Sequence, residues 1–189
     1  MVGAMTVALS TAKDEDRVRE AFRSGAGLGW HEHHADLFTG VERLFKPGYL
    51  ANLVTAWIPA LAGGVEDRLR SGARVADLGC GHGASTILLA EAYPASEIVG
   101  YDYHRASVEV ARARADDAGL GDHVRFAVAT AQDFPGDGYD LVCVFDALHD
   151  MGDPLGAAAH IRSALAPDGT FMLVVDPAGR LVRVFDYAE

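Results

Sequence analysis

Apolar and polar positions along the chain follow two rhythms, and the change comes at Gly72. Before it the pattern is helical. Residues 12–23 are charged and helix-compatible, and Gly25, Gly27 and Gly29 interrupt them. Residues 33–44 predict a helix with Leu37, Phe38, Val41, Leu44 and the adjoining Phe45 on its apolar side. Pro47-Gly48 predicts a turn, residues 49–61 a further apolar helix distorted at Pro59, and Gly63-Gly64 a break before a short helix over 65–70. No strand pattern occurs in this stretch. Residues 1–70 are therefore expected to form a helical leader, a lid and one wall of a substrate cavity rather than a separate stable domain.

After Gly72, strand-like runs alternate with helical ones. Strands are expected over 74–78, 97–101, 123–128, 139–145 and 170–175, and helices over 84–93, 106–118 and 154–165, with Pro94 and Gly119 placed as helix stops. The runs 142–145 and 171–175 are almost continuously apolar, as strands buried on both faces of a parallel sheet must be. Alternating β and α elements imply an α/β fold with a doubly wound, mainly parallel, Rossmann-like sheet over residues 71–189. Such sheets bind ligands beyond the carboxyl ends of their strands, at the switch in strand order.

The stretch Val75-Ala76-Asp77-Leu78-Gly79-Cys80-Gly81-His82-Gly83-Ala84-Ser85 falls at such an end. It reads as strand, glycine turn and helix start. Its glycines let backbone approach a ligand without a Cβ in the way. A second acid, Asp102, closes the next strand, where a carboxylate suits ribose hydroxyls. The turn also fits G-x-G-x-x-A, so a dinucleotide competes with S-adenosylmethionine. Charge favours the latter. A pyrophosphate wants helix N-termini without nearby anions, whereas Asp77 lies beside the turn and residues 75–104 contain no Lys or Arg. A sulfonium and an ammonium fit an acidic rim.

Composition narrows the partners. The chain has 189 residues, half of them hydrophobic, which is enough for one domain with a real core. A net charge of −11 disfavours a grip on nucleic acid, so a small-molecule substrate is expected. No apolar run suits a membrane span and no basic start suits a signal peptide, so a cytoplasmic location without membrane association is expected. Cys80 and Cys143 have no metal spacing, and His31, Glu32, His33 and His34 are poorly spaced for ligation, so no metal is expected.

Asp77-Leu78-Gly79-Cys80-Gly81-His82-Gly83 resembles the first motif of class I S-adenosylmethionine-dependent methyltransferases, in particular a bacterial small-molecule subgroup. Residues 98–103 resemble the second, Ala131-Gln132-Asp133-Phe134 the third, residues 139–150 the fourth, and residues 165–170 the turn before the fifth strand. The subgroup likeness extends to Trp30-His31-Glu32-His33-His34 and Phe45-Lys46-Pro47-Gly48-Tyr49. The resemblance implies two further strands and a winged-helix-like segment. The sequence offers at most one short strand, at 181–185, so the chain reads as a truncated or minimal member. That shortening would leave the fifth strand as a poorly covered apolar edge, a candidate surface for a homodimer.

The resemblance assigns cofactor contacts to Asp77, Gly79, Cys80, Gly81, Gly83, Asp102, Tyr103, Gln132, Asp133, Phe134 and Phe145. Asp102 takes the ribose diol, Tyr103 either covers one face of the adenine or is a rim aromatic, Asp133 accepts from the adenine amino group, and the Phe134 N–H meets a ring nitrogen. The bland reading of Asp133 is a turn residue before Pro135. His149 is placed near the transferring methyl, either as a base or as a pocket wall. Asp150 either orients His149 or caps the helix starting near Pro154. The implied activity is methyl transfer to oxygen, nitrogen or carbon of a small acceptor. The other readings are a non-catalytic S-adenosylmethionine-binding regulator, an inactive truncated enzyme, and a nicotinamide-dependent reductase.

Overall fold

The computed structural model describes residues 2–175 and 182–185. Residue contacts divide the chain between Pro47 and Gly48 rather than near residue 70.

The first unit, Met1–Pro47, holds α1 (Val2–Lys13), α2 (Glu15–Ser24), a 3-10 turn (Trp30–Glu32) and most of α3 (Ala35–Asn52). Its centre is polar. Asp14, 1 % exposed, accepts the His34 backbone N–H at 2.8 Å and pairs with His33 Nδ1 at 3.1 Å and Arg17 at 3.1 Å. The His34 N–H bond, aided by His33 and Arg17, holds this carboxyl below its ordinary range. Glu32 accepts the Gly29 N–H at 2.6 Å, and the His34 ring accepts the Asp36 N–H at 3.1 Å. The histidine cluster thus serves the local chain geometry, through an acid that the sequence pattern did not single out. Among the described residues no group of three His, Cys, Asp or Glu side chains is arranged to hold a metal ion.

The expected turn at Pro47-Gly48 does not form. Pro47 lies inside α3, which runs through to Asn52 before a π-helical turn (Leu53–Trp57). An interior proline removes one N–H donor and crowds the preceding turn, so α3 continues through Pro47 against a local cost. The chain breaks instead at the wide turn and at Gly63 and Gly64, both with positive φ.

In the second unit, α4 (Val65–Ser71) precedes β1 (Arg74–Leu78), α5 (Ala84–Ala92), β2 (Glu97–Asp102), α6 (Arg105–Asp117), β3 (Val124–Val128), β4 (Tyr139–Phe145), α7 (Pro154–Ala164), β5 (Leu165–Val174) and β6 (Val182–Phe185). The sheet order is β3-β2-β1-β4-β5-β6, with the first five strands parallel and β6 antiparallel to β5. β5 is therefore not an edge. β6, Val182–Phe185, pairs along it at the place expected for a single short strand, which removes the motive for dimerisation through β5. The turn expected over 165–170 is an excursion within β5. Tyr139 faces Leu165, Leu141 faces Thr170, and the residues between bulge out.

Alternation in β4 explains why both faces are covered. Leu141, Cys143 and Phe145 point into a core shared with Val75, Ile98, Val108 and Leu89, and Val142 and Val144 point into another with Ala157, Ile161 and Phe134. Leu53, Ile58, Leu61, Val65 and Leu69 are buried in the first of these cores. Residues 48–70 thus fall in the same unit as the sheet. No described helix is long and apolar enough to cross a membrane.

Candidate functional site

Parallel register brings the carboxyl ends of β1, β2 and β4 level. Leu78 pairs with Tyr101 on one side and Val144 on the other, so the glycine turn, Asp102 and Phe145 emerge along one edge. The reversal of strand order falls between β1 and β4, the position at which such sheets leave a crevice.

Gly79, Gly81 and Gly83 all have positive φ, at 70°, 53° and 80°. Their reasons differ. A Cβ on Gly79 would lie 2.7 Å from the Ala147 Cβ, and one on Gly83 would lie 2.8 Å from the Phe126 ring. These two glycines permit internal packing. A Cβ on Gly81 would meet nothing within 4 Å, so this residue faces open space. The turn is pinned by Gly79 and Cys80 N–H groups donating to the Tyr101 carbonyl at 2.8 and 3.1 Å. The Cys80 thiol is buried, and burial holds it protonated, well above its ordinary pKa.

Asp102 is 8 % exposed, and each of its oxygens accepts one backbone N–H: Oδ2 from Gly81 at 2.9 Å, Oδ1 from His104 at 2.8 Å. One bond per oxygen leaves acceptor capacity on both. Burial raises its pKa, while the two N–H bonds and the neighbouring His104 and His82 work against that rise. Neither histidine stood out in the sequence. Tyr103, next along, is 43 % exposed.

Asp77 is more deeply placed, at 1 % exposure. Its Oδ2 accepts the Ser85 and Thr86 hydroxyls, both at 2.7 Å, and its Oδ1 is buried with no hydrogen-bond partner. Burial pushes the carboxyl up to about 6 against the pull of the two hydroxyls. Ser85 and Thr86 sit in the first turn of α5, a placement visible in sequence as hydroxyls directly after the glycine turn.

The third cluster of expected residues is committed to local structure. Asp133 Oδ1 accepts the Thr130 N–H at 2.9 Å and hydroxyl at 2.7 Å, the turn role allowed for it. Gln132 Nε2 donates to the Asp153 carbonyl at 3.0 Å. The Phe134 ring is 1 % exposed and packs edge-on against His160 with centroids 4.7 Å apart, which leaves only its backbone for a ligand contact.

After β4 the chain turns sharply. Asp146 adopts φ 51°, the one described non-glycine residue with positive φ, and its N–H donates to the Val174 carbonyl at 2.7 Å. His149 is 55 % exposed, with Nδ1 4.0 Å from Asp146 Oδ1 and Nε2 3.6 Å from Asp150 Oδ1. α7 is capped by Asp153, whose Oδ1 accepts the Gly156 N–H at 2.8 Å, so Asp150 is not its cap. Phe145 is covered by Tyr49 and Trp57, with ring centroids 5.4 and 6.4 Å away. No local pattern ties these two aromatics to β4, because sheet topology alone brings them there.

A doubly wound α/β sheet with a glycine turn and two buried acids at its strand ends is the class this architecture defines. Residues 69–178 match the model of a methyltransferase domain, and the chain belongs to that family. It is 36 % identical over 116 residues to a trans-aconitate 2-methyltransferase of Streptomyces coelicolor, covering 58 % of this chain and 38 % of the relative. It is 34 % identical over 118 residues to the 27-O-demethylrifamycin SV methyltransferase of Amycolatopsis mediterranei, covering 59 % and 43 %. The chain thus spans less than half the length of these relatives. Among solved structures, an S-adenosylmethionine-dependent methyltransferase of Thiobacillus denitrificans in complex with S-adenosylhomocysteine superposes with a TM-score of 0.55. It shares 27 % identity, over 69 % of this chain and 48 % of that one.

Proposed function

We propose that the chain is an S-adenosylmethionine-dependent methyltransferase acting on a small organic acceptor. The observation that carries this reading is the triad of Gly81, Asp102 and Asp77. They combine an open backbone approach, a carboxylate with acceptor capacity on both oxygens, and a buried anion with one oxygen unsatisfied. This set fits a ribose diol joined to a positively charged tail and does not fit a pyrophosphate. When bound, the cofactor supplies an electrophilic methyl group on a sulfonium.

The remaining work falls to the protein. Gly79, Gly81, Gly83 and Cys80 present backbone to the cofactor, Asp102 holds its sugar, and Tyr103 covers its base. Phe134 offers its backbone N–H, with Asp133 and Gln132 at the same rim. Phe145 and Asp77 border the methionine end. His149, flanked by two carboxylates, takes a proton from an acceptor that needs to lose one. The relatives' named substrates differ widely, so similarity does not select an acceptor.

The test is direct. Asp102→Ala should weaken S-adenosylhomocysteine binding by about ten-fold or more in calorimetry, because it removes charge-assisted hydrogen bonds. Unchanged affinity would refute the ribose role. His149→Ala should slow methyl transfer by about 100-fold while cofactor affinity holds within about two-fold, the range expected for loss of a general base. A parallel loss of cofactor affinity would relocate His149 to the cofactor site.

A further inference from the structure

Three segments of the sheet unit meet around Phe145: the end of α3 with the following π turn, the glycine turn, and the loop after β4. Residues 48–67, 75–104 and 139–161 contain no Lys or Arg. They contribute Asp77, Asp146 and Asp150 instead, together with the rings of Tyr49 and Trp57, whose centroids lie 6.2 Å apart. Both rings are half-buried and pack against Phe145, itself 6 % exposed, so part of each ring stays open to solvent. Burial and the Asp77 and Asp146 carboxylates together push the Tyr49 phenol above its ordinary range, so this phenol stays neutral between two acids. The Asp146 side chain is only 13 % exposed and sits on a left-handed backbone held by the bond to Val174. Positive φ on a non-glycine residue is retained where a side chain must be aimed.

We infer that the acceptor is an amine bound in its cationic form, against the faces of Tyr49 and Trp57 and beside Asp146. This inference rests on the methyltransferase reading given above. Aromatic faces attract cations, and a partly buried carboxylate adds a charge partner. These three segments carry no Lys or Arg to receive a carboxylate or phosphate, which disfavours an anionic acceptor against them. A protonated amine has no lone pair. His149, within 4.0 Å of Asp146, is placed to take the proton from nitrogen, the N–H bonding pair remaining on nitrogen as the nucleophile.

The experiment uses the full chain saturated with S-adenosylhomocysteine and titrates two probes of matched size, benzyltrimethylammonium and benzoate, by calorimetry. The cation is expected to bind, and benzoate at ten times its concentration is not, a factor of about 10 being within the reach of a desolvated cation–aromatic contact. Asp146→Asn should weaken the cation by about five-fold or more, and asparagine tolerates the left-handed backbone. Tyr49→Leu should do the same. If Tyr49→Leu fails to fold, Asp146→Asn decides alone. Benzoate binding as tightly as the cation, neither probe binding, or cation binding only before S-adenosylhomocysteine is added each overturns the inference. Failure of S-adenosylhomocysteine itself to bind is read in the first titration and counts against the methyltransferase reading instead.

Discussion

The Gly81→Val protein is expected to fold and to lose S-adenosylhomocysteine affinity by about 100-fold, the cost of forcing a branched side chain into an occupied contact surface. The reason lies in what surrounds Gly81. Its added Cβ meets no protein atom within 4 Å, unlike those of Gly79 and Gly83, so any clash is with a ligand and not with the fold. The backbone cost can be matched and subtracted. Gly119, between α6 and β3, has φ 71° and equally open surroundings, and lies on the amino-end side of the strands, away from their carboxyl ends. Gly81→Val and Gly119→Val should each lose about 2 kcal/mol of stability from left-handed strain. Their melting temperatures should fall together by about 4–8 °C. Only the first should lose affinity. Equal affinities in the two variants would show that the open space beside Gly81 is not where the cofactor lies.

The sheet was legible in the sequence because its signals are local. Five apolar runs, glycines and prolines at their ends, and acids near the carboxyl ends of β1 and β2 each depend on a few adjacent residues. β1 and β4 accordingly fall where the pattern puts them, at Arg74–Leu78 and Tyr139–Phe145. The failures are non-local. Pro47-Gly48 carries a strong turn signature, yet α3 passes through it, since a dipeptide's preference is weak against the packing of a whole helix. The pairing of Tyr49 and Trp57 with Phe145 depends on topology, and so does the pairing of Asp14 with His33 and His34. Asp133 shows a third kind of limit. Its acid-before-aromatic spacing suits both a ligand contact and a turn, and the Thr130 bonds demonstrate the second while its solvent-exposed position leaves the first to experiment. The site is thus legible where it is made of backbone and strand-end acids, and obscure where remote side chains build its wall.

Asp77 carries the second large effect, and its sign follows from burial. An aspartate titrating near 3.8 in the unfolded chain is pushed up to about 6 in the folded one. Between these values the folded state holds more protons than the unfolded state, so stability is fullest below about pH 4 and falls as pH rises through about 6. At neutral pH the ionised, half-satisfied carboxylate therefore costs the ligand-free fold about 2–3 kcal/mol. A bound cation reverses the preference, because it needs the charged form. Asp77→Asn should then act in opposite directions on the two properties. Ligand-free protein at pH 7.5 should melt several degrees higher than wild type, by about 2–4 °C for each kcal/mol recovered, and the gap should close as pH falls toward about 4. Cofactor affinity at pH 7.5 should fall by about 30-fold or more, the scale of removing a buried charge partner. Wild-type affinity should also decline as pH drops through about 6, while the affinity of the Asp77→Asn protein stays flat there. A variant that is less stable at pH 7.5, with affinity and pH profile unchanged, would make Asp77 a structural anchor for Ser85 and Thr86 and remove it from the cofactor site. The contrast matters because a purely structural acid gains stability from its charge, whereas one reserved for a positively charged ligand gives stability up until that ligand arrives.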